Sequence, residues 1–206
     1  QLQSLARKLG LGHNSYEWID YFGTVVPSRA GLAIVLINDK NWLLKLKTAL
    51  SLPPKWRYLY AELENKSSKK KINLLGIHVE PPRFLEKKIK SIKNMLQDHI
   101  SWQDRQNKQI NKVMNQIYRF RDPTIIAGDF NSTPGLPLHE KLREELNDSW
   151  LESGNGIGLT RYYEGFIPLR IDYIYSSKAF KSIKSKTLPF YFSDHKAIFS
   201  EFYLAD

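Results

Sequence analysis

Thr124-Ile125-Ile126-Ala127-Gly128-Asp129-Phe130-Asn131 is a β-branched, apolar run that ends in a glycine followed by polar side chains. Such a run reads as a buried strand with a functional end. Gly128 permits a close backbone approach or an unusual dihedral just before Asp129. Asn131, two residues on, can point back into the same cleft with both donor and acceptor atoms. Taken alone, Asp-Phe-Asn is equally the pattern of an Asx turn. Thr133-Pro134 and Pro137 then turn the chain away, and residues 137–146 read as a helix.

Two later clusters have the same character. Arg170-Ile171-Asp172-Tyr173-Ile174 places an aspartate inside an apolar strand, where burial is costly unless the carboxylate is paired. A histidine N–H is its natural partner, and such a pair fixes the imidazole tautomer. Ser193-Asp194-His195 precedes the strand-like Ala197-Ile198-Phe199. Its carboxylate suits Mg²⁺, and its imidazole titrates near neutrality; the same pair would also serve as a turn cap with a buried histidine. His78 ends the apolar run Leu74-Leu75-Gly76-Ile77 and is followed by Val79-Glu80-Pro81-Pro82. A lone histidine at a strand end is more often structural, but the two prolines and the later clusters favour function. Strand ends hold polar side chains rigidly in a shared cleft. The expectation is that His78, Asp129, Asn131, Asp172, Asp194 and His195 converge on one pocket, with Asp172 touching the His195 ring.

Further outward, residues 31–37 are too apolar for a half-exposed strand and read as buried. Strand-like runs at 56–63 and 72–79 flank Lys66-Ser67-Ser68-Lys69-Lys70-Lys71, an exposed hairpin loop that is either solvated or a nucleic-acid contact. Between Phe84 and Phe120 the period changes. Leu85, Ile89, Ile92 and Leu96 recur at helical spacing, as do Ile110, Val113 and Ile117, predicting core-facing stripes of one long helix or two consecutive ones. Leu5 and Leu9 suggest a short amphipathic helix closed by Gly10. Strands return at 169–175, 180–183 and 197–203. The mixed order predicts an α/β layered domain without a linker or a second domain.

The 206 residues fit one domain, and 42% hydrophobic with 13% aromatic residues exclude a disordered chain. Thirty-one Lys and Arg against 21 Asp and Glu leave a net charge of +10, which favours polyanionic partners such as nucleic acid or an anionic lipid surface, or serves solubility. There is no cysteine, which excludes thiolate nucleophiles, thiolate metal sites and disulfides. No apolar run reaches the length of a membrane span and no signal-peptide pattern opens the chain, so the compartment stays undetermined, cytoplasmic or extracytoplasmic. A start at Gln1 without methionine suggests a processed product or an excerpt.

Gly76-Ile77-His78, Gly128-Asp129-Phe130-Asn131, Arg170-Ile171-Asp172-Tyr173-Ile174 and Ser193-Asp194-His195, in that order, resemble the endonuclease/exonuclease/phosphatase superfamily. That group includes deoxyribonucleases, abasic-site endonucleases, sphingomyelinases, inositol polyphosphate phosphatases and deadenylases. The His-Val-Glu-Pro-Pro run and Thr133-Pro134 look most like bacterial members known only by the superfamily name. The match spans about residues 17–204. The resemblance implies a four-layer α/β/β/α sandwich of two packed mixed sheets flanked by helices. It also implies Mg²⁺- or Mn²⁺-dependent phosphoester hydrolysis.

By motif position, Asp129 would orient or deprotonate the attacking water, and Asn131 would hold a phosphate oxygen or that water. Asp194, with Asp129, would help hold the metal. His195, oriented by Asp172, would contact the scissile phosphate, and His78 would contact phosphate or donate a proton to the leaving oxygen. The family begins with two strands, the second ending in Gln-Glu, whose glutamate is the principal metal ligand; residues 4–10 resemble the helix that follows them. The chain, residues 1–206, is therefore expected to be a single domain, N-terminally incomplete and lacking the first strands.

The expected activity is that of a metal-dependent phosphodiesterase acting on nucleic acid, a substrate favoured by the lysine-rich segments 66–71, 87–93 and 178–186. The alternatives are a phospholipid or inositol-phosphate esterase, or a non-catalytic member that binds nucleic acid or protein. Specificity would reside in loops at 153–164 and 27–31, where Arg161, Tyr162 and Tyr163 either grip substrate or pack.

Overall fold

The computed structural model describes residues 16–21, 32–37, 41–52, 56–82, 91–163, 167–189 and 193–205. The order of elements begins with β1 (Tyr16–Tyr21), β2 (Leu32–Ile37), β3 (Trp42–Leu52), β4 (Trp56–Asn65) and β5 (Lys71–His78). The helix α1 (Ile92–Ile117) follows, then β6 (Thr124–Asp129), α2 (Pro137–Glu145), β7 (Leu146–Asp148) and α3 (Ser149–Ser153). The chain finishes with β8 (Arg161–Tyr163), β9 (Ile167–Leu169), β10 (Asp172–Ser177), β11 (Phe180–Leu188) and β12 (Ala197–Leu204).

Six strands form one mixed sheet in the order β3-β4-β5-β6-β10-β7. Only β5 and β6 run parallel within it, because α1 carries the chain back across one face before β6 begins. Period-two alternation sends Leu75 and Ile77 of β5, Ile126 of β6 and Tyr173 and Tyr175 of β10 toward the helices. There they meet Ile110, Val113 and Met114 of α1 and Leu138 and Leu142 of α2. On the opposite face Gly76 approaches Ile34 of β2, so the β1–β2 pair covers β3, β4 and β5 there. The β11–β12 pair lies against β10 and α3. Helices, a mixed sheet and a second layer of strands make the expected α/β sandwich. The short helix expected before Gly10 lies outside the described residues.

The hairpin expected around Lys66 is present as an exposed turn, with Lys71 paired to Glu62 at 3.2 Å and Lys45 paired to Glu64 at 2.6 Å. The helical stripe divides. Ile110 and Val113 are buried as expected, whereas Ile92 and Leu96 are 73% and 53% exposed. Burial on α1 begins only at Trp102. Leu85 and Ile89 lie outside the described residues. Among the described residues, no helix is long and apolar enough to cross a membrane.

Behind the strand ends, His139 of α2 is fully buried among Phe130, Tyr173 and Tyr175. Its Nδ1 lies 2.8 Å from the Tyr175 hydroxyl and its Nε2 lies 2.8 Å from Ser132 Oγ and 3.2 Å from the Ser132 carbonyl. A carbonyl only accepts, so Nε2 carries the proton and Nδ1 accepts from Tyr175. Burial holds this imidazole neutral and pulls its pKa down from 6.5 to about 3. The unfolded chain takes up a proton below pH 6.5 that the native state refuses, so stability is full above that value and falls as pH drops. At pH 5 the loss from this one group is about 2 kcal/mol, from 1.36 kcal/mol per pKa unit. Urea melts of the protein and of His139→Gln at pH 7.5 and 5 isolate it, because the difference between the two cancels every other titrating group. Their stability difference should narrow by roughly that 2 kcal/mol on acidification; a constant difference would show that His139 titrates normally.

Candidate active site

The sheet registers pair His78 with Asp129 across β5 and β6, and Asp129 with Asp172 across β6 and β10. Three polar residues therefore stand in one row over three adjacent strands, at the carboxyl ends of β5 and β6. Ligands of α/β sheets bind at such carboxyl ends. Strands are about 4.8 Å apart, so neighbouring side chains in a row reach one another. The approach of β6 to β5 depends on Gly128, whose φ is +152°. A Cβ there would stand 1.9 Å from the Ile77 carbonyl oxygen.

Asp129 ends β6 in an Asx turn. Its Oδ1 accepts the Asn131 backbone N–H at 2.8 Å, and Asn131 takes φ +49°, which asparagine tolerates. Its Oδ2 lies 3.8 Å from His78 Nε2. Asn131 is buried, and its side-chain amide donates to the Val79 carbonyl at 2.9 Å. Its amide thus ties the turn after β6 to the segment after β5. On the far side, the Ser193 hydroxyl accepts the His195 backbone N–H at 3.0 Å and turns the chain. His195 Nδ1 then sits 2.9 Å from Asp172 Oδ2. Nδ1 is the ring nitrogen so engaged, which leaves Nε2 outside this pair.

Asp129, Asp172 and His195 each offer a ligand atom within 4.8 Å of the others. Their electrostatics follow from that crowding. Burial, then the neighbouring Asp172 charge, raise the Asp129 carboxyl to about 7. The hydrogen bond to Asp172 holds the His195 imidazolium above its ordinary range. Burial, then the charge of His195, push His78 down, so the two imidazoles favour opposite protonation states.

Asp194 stands apart from this group. Its side chain is 67% exposed, and its Oδ2 meets Arg161 Nη2 at 2.8 Å. Of the two aspartates assigned to metal by resemblance, one lies in the cluster and the other faces an arginine. Arg170 of the third motif points away, into a buried ion pair with Asp148 beneath Trp150 and Tyr173.

Several supports of the site are absent from the sequence reading. Gln106 donates from Nε2 to the carbonyls of Glu80, Phe130 and Asn131 at 2.9, 3.2 and 3.3 Å. Trp102 Nε1 donates to the Glu80 carbonyl at 2.9 Å, and Gln109 Oε1 accepts the Glu80 N–H at 3.0 Å. One face of α1 thus holds both loops that carry His78 and Asp129. The signal was there: Trp102, Gln106 and Gln109 continue the apolar phase of Ile110 and Val113. Thr160 Oγ1 accepts the N–H groups of Ile171 and Asp172 at 3.1 and 3.2 Å, and its carbonyl accepts from Lys196 at 2.6 Å. That one residue ties the start of β10 to the loop of His195. Within the expected specificity loop 153–164, Arg161 and Tyr162 lie on β8 rather than in a free loop; the loop at 27–31 lies outside the described residues.

A mixed sheet backed by helices, with carboxylates and imidazoles gathered at its strand ends, defines a class of α/β sandwich protein. The sequence profile of the Endonuclease/Exonuclease/phosphatase family matches residues 95–195. Over that stretch, just under half of the chain, the sequence resembles this family. No curated protein matches it in sequence. The human Nocturnin catalytic domain with bound sulfate is similar in structure at TM-score 0.67 and 18% identity, covering 100% of this chain and 76% of that one. A mannosyl-6-phosphatase of Bacteroides thetaiotaomicron superposes at TM-score 0.67 and 14% identity, covering 98% and 82%. TDP2 of D. rerio in complex with a single-strand DNA product superposes at TM-score 0.64 and 16% identity, covering 98% and 81%.

Proposed function

We propose that this protein is a divalent-metal-dependent phosphoester hydrolase, a phosphodiesterase whose substrate is nucleic acid. The observation that carries the reading is the row His78–Asp129–Asp172 with the His195 ring closed onto it at 2.9 Å. The donor set fits a hard cation: two carboxylates within 4.8 Å of one another and of an imidazole, one of them raised to about 7 by burial and its neighbour's charge. The superfamily is generally divalent-metal dependent. Asp129 and Asp172 would hold Mg²⁺ or Mn²⁺, and Asp194 joins them only by leaving Arg161. Once bound, such an ion supplies Lewis-acid polarisation of a phosphoryl oxygen.

The chain's own groups divide the remaining chemistry. Asp129, raised toward neutrality, is suited to orient a water and accept its proton. His195, charged and aimed by Asp172, offsets negative charge that builds on the phosphoryl oxygens. His78, beside Asp129, contacts the phosphate or passes a proton to the leaving oxygen. Asn131 holds the turn that aims Asp129.

Nucleic acid is supported by the +10 charge and by the exposed lysines of the turn after β4 and of β11. The similarity to TDP2 in complex with a single-strand DNA product adds to it. Incubation with Mg²⁺ and plasmid DNA, single-stranded oligonucleotide, sphingomyelin, inositol phosphates or a sugar phosphate tests the reading. DNA cleavage that EDTA abolishes and excess Mg²⁺ restores is the expected outcome. Cleavage of lipid or sugar phosphate in preference would reassign the substrate, and undiminished cleavage by Asp129→Ala would remove the site.

A further inference from the structure

Arg161 begins β8, and its backbone forms an isolated antiparallel bridge with His195. The two residues are thus directly opposed, so guanidinium and imidazole issue from neighbouring backbone positions. Asp194, adjacent to His195 in sequence, takes one Nη2 hydrogen bond from Arg161 at 2.8 Å. The Nε of Arg161 is sealed from solvent and has no hydrogen-bond partner among the described residues. Buried guanidinium donors are normally satisfied. This guanidinium is incompletely paired in the free protein, and contact with a ligand falls to its terminal nitrogens. The side chain as a whole is 31% exposed, which leaves it open to a ligand. Its charge reaches the cluster, where it opposes the burial that raises Asp129 and the Asp172 hydrogen bond that raises His195. Lys196, one residue beyond, places its Nζ 5.3 Å over the Tyr162 ring, adding a second cation to the same rim.

We infer that Arg161 binds a non-bridging oxygen of the substrate phosphate beside His195, and that Asp194 is the positioning residue that holds its guanidinium there. A guanidinium presents five donors in a planar fork, matched to a phosphate and already charged at any working pH. Asp194 occupies one tip of that fork, which leaves the remaining donors directed by a fixed anchor. A carboxylate engaged in this way is diverted from the metal role that resemblance assigns to it. The inference rests on the phosphoester reading of the site.

The test titrates inorganic phosphate into the protein by calorimetry and measures kcat and KM on whichever substrate the panel identifies. Arg161→Gln should weaken phosphate binding tenfold or more and raise KM to a similar extent, while Arg161→Lys retains part of both. Asp194→Asn should weaken phosphate binding less than Arg161→Gln does. Adding it to Arg161→Gln should cost nothing further, because the anchor has lost what it held. Wild-type phosphate affinity in folded Arg161→Gln, or in Arg161→Lys should the glutamine variant not fold, would overturn the inference. So would Asp194→Asn if it lowered Mg²⁺ affinity while leaving phosphate affinity untouched. Retained activity in Asp129→Ala and His195→Ala is a separate result that strikes the phosphoester reading, not the phosphate titration.

Discussion

Replacing His195 with alanine should slow phosphoester hydrolysis about 1,000-fold, within the range for removing a positioned acid–base or charge-stabilising group. That corresponds to about 4 kcal/mol of transition-state stabilisation at 1.36 kcal/mol per decade. The expectation follows from position: the ring is clamped through Nδ1 at 2.9 Å from Asp172, and in the proposed reading its Nε2 meets the phosphate. Asp172→Asn leaves the shape of the pair but removes the charge that orients the ring and keeps it protonated. It should cost about 10- to 100-fold, as losses of orienting partners do. At saturating Mg²⁺, where any loss of metal affinity from Asp172 is masked, the two should act as a unit and the double variant should be no slower than His195→Ala alone. Single-turnover rates at saturating substrate decide the matter. Additive losses would show that Asp172 acts on something other than His195.

The second large effect is on stability. Gly128→Ala forces a Cβ to 1.9 Å from the Ile77 carbonyl oxygen, at a backbone φ of +152°. Neither the oxygen nor the strand can yield cheaply, since both belong to the parallel ladder between β5 and β6. Overpacking and backbone strain each cost about 1–3 kcal/mol, so about 4 kcal/mol together is expected. At about 2–4 °C per kcal/mol for a chain of this size, Tm should fall by roughly 8–16 °C. Gly135→Ala is the control, with nothing within 4 Å of the added methyl. It should leave Tm unchanged or raise it slightly through a less flexible unfolded chain. Equal melting of the two alanine variants would show that β5 and β6 accommodate a Cβ at position 128.

The glycine illustrates how legible this protein is. Its place between an apolar run and an aspartate points to a close backbone approach or an unusual dihedral, and Gly128 has both: Ile77 is the neighbour and φ is +152°. The hairpin at Lys66, the helix after Pro137 and the buried half of α1 were equally readable, because each depends on local periodicity and turn chemistry. The exposed Ile92 and Leu96 were not, since a helical stripe shows which residues share a face but not which turns of that face are covered. The short strands β7, β8 and β9 escaped for a related reason: three residues carry too little period to register as a strand.

The candidate site divides along the same line. Residue types and their order along the chain were enough to single out His78, Asp129, Asn131, Asp172, Asp194 and His195 and to suggest the chemistry of a carboxylate beside an imidazole, since those properties belong to the side chains themselves. Which of them stand together was settled by strand register, a through-space property in which a one-residue slip moves every side chain to the other face. Register sets His78, Asp129 and Asp172 in one row, and the turn at Ser193 brings His195 onto it. The same tertiary placement turns Asp194 to Arg161 and gives Gln106 and Thr160 their supporting roles, because hydrogen bonds and burial depend on neighbours that no local stretch of chain contains.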